Sequence, residues 1–160
     1  MVYPRMNDNH FQSVITQLTS SLNINDPLTT LNYFTKILNK NVPNYNWVGI
    51  YLLNNDKLIL KSYSGPQATE HTVIDVGAGI CGLAARTAET VIVPDVNKDP
   101  RYLACFLGTK SEIVVPIIHN GSVCGEIDID SDILDAFNEH DQNFLESVAN
   151  LISPVAIKLV

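Results

Sequence analysis

Cys81 and Cys105 lie 24 residues apart, each in a segment with the composition of a turn or loop: Gly77-Ala-Gly-Ile-Cys-Gly82 and Leu103-Ala-Cys-Phe-Leu-Gly108. Acids follow at Glu112, Asp128 and Asp130. Thiols in mobile segments with carboxylates nearby suit thiol redox chemistry on a small molecule, since the thiolate attacks and an acid manages the proton. The same residues suit a ligand-binding module in which each cysteine is a small buried side chain. Arg101, four residues before Cys105, and Lys110, five after it, offer a positive neighbourhood that would favour a thiolate. Cys124 reads differently: it sits mid-run in Ser122-Val-Cys-Gly-Glu-Ile-Asp128, where a buried strand position is expected. A disulfide between positions 81 and 105 needs Cα atoms within about 7 Å, a distance that only the fold sets.

In Gly125-Glu-Ile-Asp-Ile-Asp-Ser131, strict alternation puts Glu126, Asp128 and Asp130 on one strand face. Three such carboxylates repel, so at least one is expected to hold its proton and to serve as a hydrogen-bond donor or general acid. A solvated strand face is the competing reading. Asn120-Gly121 is the best hairpin signal in the chain. A regular two-residue hairpin there pairs Ile113 with Asp128 and turns Glu112 to the opposite face. Convergence of the acids therefore needs a bulge, or Glu112 ahead of the regular ladder. Trp47 and Tyr51, four apart on one side of a strand, are pocket walls or core. His10, His71, His119 and His140 read as loop or surface residues without evident partners. With no ligand spacing among them and no Cys-x-x-Cys pair, no metal site is expected.

The elements that must position these residues follow from periodicity and punctuation. Residues 8–23 repeat Phe11, Val14, Ile15, Leu18 and Leu22 at helical intervals, with Asp8 or Asn9 as cap. Asp26-Pro27 starts a second helix with Leu28, Leu31, Phe34 or Thr35, and Leu38 as its buried stripe. Strands are expected over 47–53, 58–63, 73–76, 91–93, 111–118 and 122–130. The glycine turn at 77–82 opens a short helix over 83–90, and 94–108 is a long connection with one helical turn. A last helix begins near 138–141 and carries Phe144, Leu145, Val148, Leu151 and Ile152. The class is α+β: an antiparallel sheet of about six strands, terminal helices on one face, and a pocket under loops on the other.

At 160 residues the chain is read as one domain, 1–160, large enough for a core without disulfide staples. No apolar run approaches the roughly 18 residues of a membrane span. The opening Met-Val-Tyr-Pro-Arg-Met-Asn-Asp lacks the apolar core of a signal peptide, so a cytoplasmic location is expected. Net charge is −7 and the ten Lys and Arg are scattered, which argues against nucleic acid as a partner.

Together these segments resemble the GAF domain, and within it the free methionine-(R)-sulfoxide reductases, from about Asn46 to Ile152. The landmarks are Asn46-Trp-Val-Gly-Ile-Tyr-Leu-Leu53, Gly79-Ile-Cys-Gly-Leu-Ala84, Asp95-Val96, Ala104-Cys105, Ser111-Glu-Ile-Val-Val-Pro116 and Asp128-Ile-Asp-Ser131. The resemblance implies that Cys105 attacks the sulfoxide and becomes a sulfenic acid, while Cys81 resolves it as a disulfide that a thioredoxin-like dithiol reduces. Trp47 and Tyr51 would be pocket aromatics. Glu112, Asp128 and Asp130 would hold the substrate and assist proton delivery. No metal or organic cofactor is implied, and members often pair through terminal helices, which implies a homodimer. The chain departs from the family pattern at His71, where many members carry a third cysteine. It also departs in Arg101-Tyr-Leu-Ala-Cys-Phe106, usually Gly-His-Ile-Ala-Cys-Asp, and in Lys61-Ser-Tyr-Ser-Gly-Pro66. Pro94–Tyr102 looks like signalling GAF domains, so a stand-alone sensor that binds a small molecule and regulates a partner is the alternative. A GAF-fold interaction module without a ligand is a third.

Overall fold

Helices start where a side chain accepts the free amides of a first turn. The computed structural model describes residues 6–160; residues 1–5 of the segment read against a signal peptide lie outside the described residues. Helix α1 (Asp8–Ser20) is capped by Asn7, which accepts from the His10 amide at 3.0 Å, one residue earlier than expected. Helix α2 (Pro27–Asn41) is capped by Asp26 and opens on its proline. Its buried stripe holds Leu31, Phe34, Thr35 and Leu38, whereas Leu28 is 47% exposed in the first turn. Periodicity gives the direction of a stripe but not how far the covering layer extends. The last helix, α4 (Glu139–Ala156), opens with a capping box between Asn138 and Asp141.

Between α2 and α4 run β1 (Trp47–Asn54), β2 (Lys57–Ser64), β3 (Val73–Asp75), β4 (Val91–Val93), β5 (Ser111–His119) and β6 (Ser122–Ser131). They form one antiparallel sheet in the order β3-β2-β1-β6-β5-β4. Helix α3 (Gly79–Thr87) falls between β3 and β4. Among the described residues, no helix is long and apolar enough to cross a membrane. Helices α2 and α4 pack on one sheet face over Val48, Ile50, Leu52, Ile113, Val115, Ile117, Ile127 and Ile129. Helix α1 joins them from outside, with Phe11 stacked on Phe144 at 4.3 Å between centroids. This is the larger core.

One irregularity in the β5–β6 hairpin decides what the other face holds. The turn itself is as expected, with Asn120 at φ +50° and Gly121 at φ +80°. His119 pairs with Ser122 and Ile118 with Val123, but Ile117 pairs with Gly125, so Cys124 is the extra residue of a bulge. Beyond it Pro116 faces Glu126, Val114 faces Asp128 and Glu112 faces Asp130. The bulge that convergence of the acids requires is present. Glu112 shares the face of the β6 acids.

Candidate active site

Strand β1 brings the aromatics to the acidic face, with Trp47 opposite Asp130, Gly49 opposite Asp128 and Tyr51 opposite Glu126. Gly49 is needed because the Trp47 indole lies across it: a Cβ there would come within 2.3 Å of the ring. Trp47 and Tyr51 are both buried, and each polar tip has a partner. The Trp47 Nε1–H donates to the Gln67 carbonyl at 3.2 Å and the Tyr51 hydroxyl to the His71 carbonyl at 2.9 Å.

Helix α3 and the 94–110 connection cover this face. Cys81 was expected in a turn, but it lies in the first turn of α3 and is buried. The helix begins at Gly79, four residues earlier than the glycine turn suggests, and its N-cap Ala78 makes no side-chain hydrogen bond. Gly79, at φ +67°, lets the helix start approach the Cys105 segment; a Cβ there would sit 3.1 Å from that of Leu103. Cys105 is half-buried in the connection, and its thiol points to the Leu103 carbonyl at 3.6 Å. Cys81 and Cys105 border one cavity of about 10 Å³ with Ile74, Gly79, Ile80, Leu103 and Glu112. That is room for about one water molecule. A wider hollow of about 160 Å³ opens beside it, walled by Trp47, Phe106, Thr109 and Asp130. Phe106 tilts against Trp47 with centroids 5.5 Å apart.

Glu112, Glu126, Asp128 and Asp130 are all buried, and each has at least one carboxylate oxygen without a hydrogen-bond partner. Ion pairs of the described residues (Lys57–Asp75, Lys98–Asp95, Arg101–Asp99 and His140–Asp8) involve none of them. Burial raises the Asp128 carboxyl from its ordinary 3.8 to about 6, against hydrogen bonds from Glu112 and Cys81 that favour its charge. Burial, and then the charges of Asp128 and Asp130, push Glu112 well above the carboxylate range. Asp130 is raised by burial and by Asp128. Burial raises Glu126 as well, so all four acids of this face are pushed up from their ordinary range.

The positive surroundings expected for Cys105 are not found. Arg101 is engaged by Asp99, with Nε 2.8 Å from Oδ1. Burial, followed by the charges of Asp128 and Asp130, raises the Cys105 thiol, and a hydrogen bond with Thr69 pulls the other way. Cys81, 3.5 Å from the Asp128 Oδ2, is raised by burial and then by Asp128. The histidines also differ from expectation, because each has a partner. His71 approaches the Ala104 carbonyl at 3.1 Å, tying its loop to the residue before Cys105. His10 meets the Asn41 carbonyl, His119 the Ser153 hydroxyl and His140 the Asp8 carboxylate. Cys124 is buried in the helix-side core, as expected.

Thr69 and Thr109 join the site without having been singled out. Glu126, which strict alternation in β6 places on the acidic face, lies between Tyr51 and Pro116. No local pattern marks the threonines, which reach the site on irregular backbone.

The GAF domain family model matches residues 26–154. The free methionine-R-sulfoxide reductase of Saccharomyces cerevisiae is 48% identical over 112 residues, covering 68% of this chain and 61% of that protein. The Escherichia coli protein of the same name is 31% identical over 128 residues, covering 80% of this chain and 76% of its own. Among solved structures, the Neisseria meningitidis free methionine-R-sulfoxide reductase in complex with its substrate superposes with a TM-score of 0.85. It has 30% identity and covers 100% of this chain and 99% of its own. The chain belongs to the GAF domain family, and within that family it resembles the free methionine-R-sulfoxide reductases.

Proposed function

We propose that this chain reduces free methionine-(R)-sulfoxide to methionine, with Cys105 as nucleophile and Cys81 as resolving thiol. One observation carries the reading: two free thiols, delivered by different elements, border the same cavity with Glu112. Asp128 and Asp130 stand on the sheet behind them. The named relatives share the fold and the activity in their names.

The substrate is an amino acid, and its ammonium group matches the site's want of positive charge. Paired with Asp128, it would relieve the charge that holds the Cys105 thiol in its protonated form. The Cys105 sulfur then attacks the sulfoxide sulfur, and the sulfur–oxygen bond of the substrate breaks as Glu112 or Asp130 protonates the departing oxygen. The oxygen leaves as water from the adduct in which Cys105 is bonded to the substrate sulfur; water then attacks the Cys105 sulfur, the sulfur–sulfur bond breaks with its electron pair going to methionine, and Cys105 is left as a sulfenic acid. Cys81 attacks that sulfenic acid, water departs and a disulfide forms. An external dithiol such as thioredoxin restores both thiols. Trp47 and Phe106 wall the hollow next to the sulfur, where the apolar part of the substrate fits. A substrate filling both spaces requires the Leu103–Gly108 segment to lift, which suits its exposed Leu107 and Gly108. We place the chain in the cytoplasm, where such dithiols are available. It acts there as a homodimer paired through its terminal helices, a state that light scattering on the eluting protein would report.

The test is methionine formation from the free (R)-sulfoxide with a dithiol reductant. Wild type turns over, Cys105→Ser falls to background, and Cys81→Ser completes one turnover but is not recycled by thioredoxin. Wild-type protein that binds the sulfoxide without producing methionine would instead be a sensor. Unchanged steady-state activity in Cys81→Ser would remove its resolving role.

A further inference from the structure

Helix α3, β5 and β6 bring together Cys81, Glu112 and Asp128. One ligand atom from each, the Cys81 Sγ and one oxygen of each carboxylate, all lie within 4.8 Å of one another. All three residues are buried, so this is not a solvated acidic patch. Glu112 Oε2 and Asp128 Oδ1 have no hydrogen-bond partner, and an unsatisfied buried oxygen is held at a free-energy cost. Cys81 and Glu112 also line the cavity of about 10 Å³, which admits a guest of about one water's size. A compact divalent cation would supply what the arrangement lacks: positive charge for two carboxylates, and a partner for both orphaned oxygens.

We propose that Cys81, Glu112 and Asp128 form a binding site for a thiophilic divalent cation of the zinc class. One sulfur and two carboxylate oxygens suit zinc or cadmium, whereas magnesium and calcium select oxygen ligands alone. Binding expels the Cys81 thiol proton and any proton held between the two carboxyls, so it releases protons to solvent. The ligands are spaced 31 and 16 residues apart on three elements, so no ligand motif marks them in the sequence. The bound cation occupies the sulfur that would close the disulfide. It therefore acts as a reversible block on redox turnover and shields Cys81 from oxidation. The site rests on geometry alone, and its occupancy is measured without any turnover.

The experiment uses the full chain, reduced with a phosphine rather than a thiol. Zn²⁺ is titrated in competition with a chromophoric chelator, and Co²⁺ is titrated separately to read thiolate-to-metal charge-transfer absorption. A single Zn²⁺ per chain and a charge-transfer band are expected. Cys81→Ser should abolish the band, and both it and Glu112→Gln should weaken binding by at least ~10-fold, the scale on which even outer-shell ligand partners act. Cys124→Ser, whose thiol lies in the opposite core, should bind as wild type. Circular dichroism checks the fold of each variant, and should Cys81→Ser fail to fold, Glu112→Gln and the wild-type cobalt band still decide. Absence of stoichiometric binding, absence of the band, or binding indifferent to Cys81→Ser or Glu112→Gln overturns the proposal.

Discussion

Under α2 and α4 the sheet presents Val48, Ile50, Leu52, Ile113, Val115, Ile127 and Ile129, closed over by Leu31, Phe34 and Leu38. Under α3 and the loops, the same strands present Glu112, Glu126, Asp128 and Asp130 with Trp47 and Tyr51. Neighbouring residues of one strand thus serve opposite ends. One face gains free energy from apolar burial. The other buries carboxylates whose oxygens lack partners, an arrangement that lowers stability. A fold tolerates such a face when the opposite one is fully packed, and strain of this kind collects where ligands are held.

Substitutions on the two faces should therefore separate stability from chemistry. The largest effect belongs to the helix side: Phe34→Ala should lower unfolding free energy by about 3–5 kcal/mol, read from denaturant midpoints, with turnover per folded molecule unchanged. A smaller loss would mean that the helix-side core is looser than its burial indicates. On the acidic side, Asp130→Asn should cut methionine formation roughly 100-fold, as expected for loss of an acid that moves a proton. Its melting temperature should not fall. A variant both inactive and unstable would erase the contrast.

Glu126 offers a sharper test, being 0% exposed with both oxygens unpartnered. Glu126→Gln should raise stability by about 1–2 kcal/mol in the same denaturant assay, because a neutral amide costs less to bury than a carboxyl pressed by the charge of Asp128. The smallest effect is a rate. With a chelator present, Asp128→Asn should speed iodoacetamide labelling of Cys105 about threefold near neutral pH, since the charge that most opposes its thiolate is gone. Slower labelling would mean that Asp128 does not govern that sulfur.

Much of the helix side was legible in the sequence. Asp26-Pro27, the Phe144 to Ile152 stripe and the β1 run are local patterns with local causes, and the helices and strand appear within a few residues of where those patterns place them. The acidic side was legible in composition but not in arrangement. Alternation in β6 put three acids on one face, but Glu112 joins them through a bulge that no residue pattern announces. Cys81 was misplaced because a run of glycines resembles a turn even where a helix has already begun. The carboxylates around Cys105 come from strands distant in sequence, so Arg101 and Lys110, close along the chain, were poor guides to its charge. The partner of His71 is likewise a carbonyl 33 residues away.

The extra residue at position 124 has a consequence for register. Were Cys124 drawn into the ladder instead of bulging from it, while β1 holds β6 in place, the pairing would slip by one, Ile113 would face Asp128, and β5 would present its other side along its length. Ile113, Val115 and Ile117 would then point toward the two sulfurs, and Glu112 would be driven beneath the helices. A slip of one residue in a hairpin, at a position that touches no substrate, would exchange the inside and outside of the reaction chamber. Reading frame within this hairpin is as much a determinant of chemistry as the identity of any acid in it.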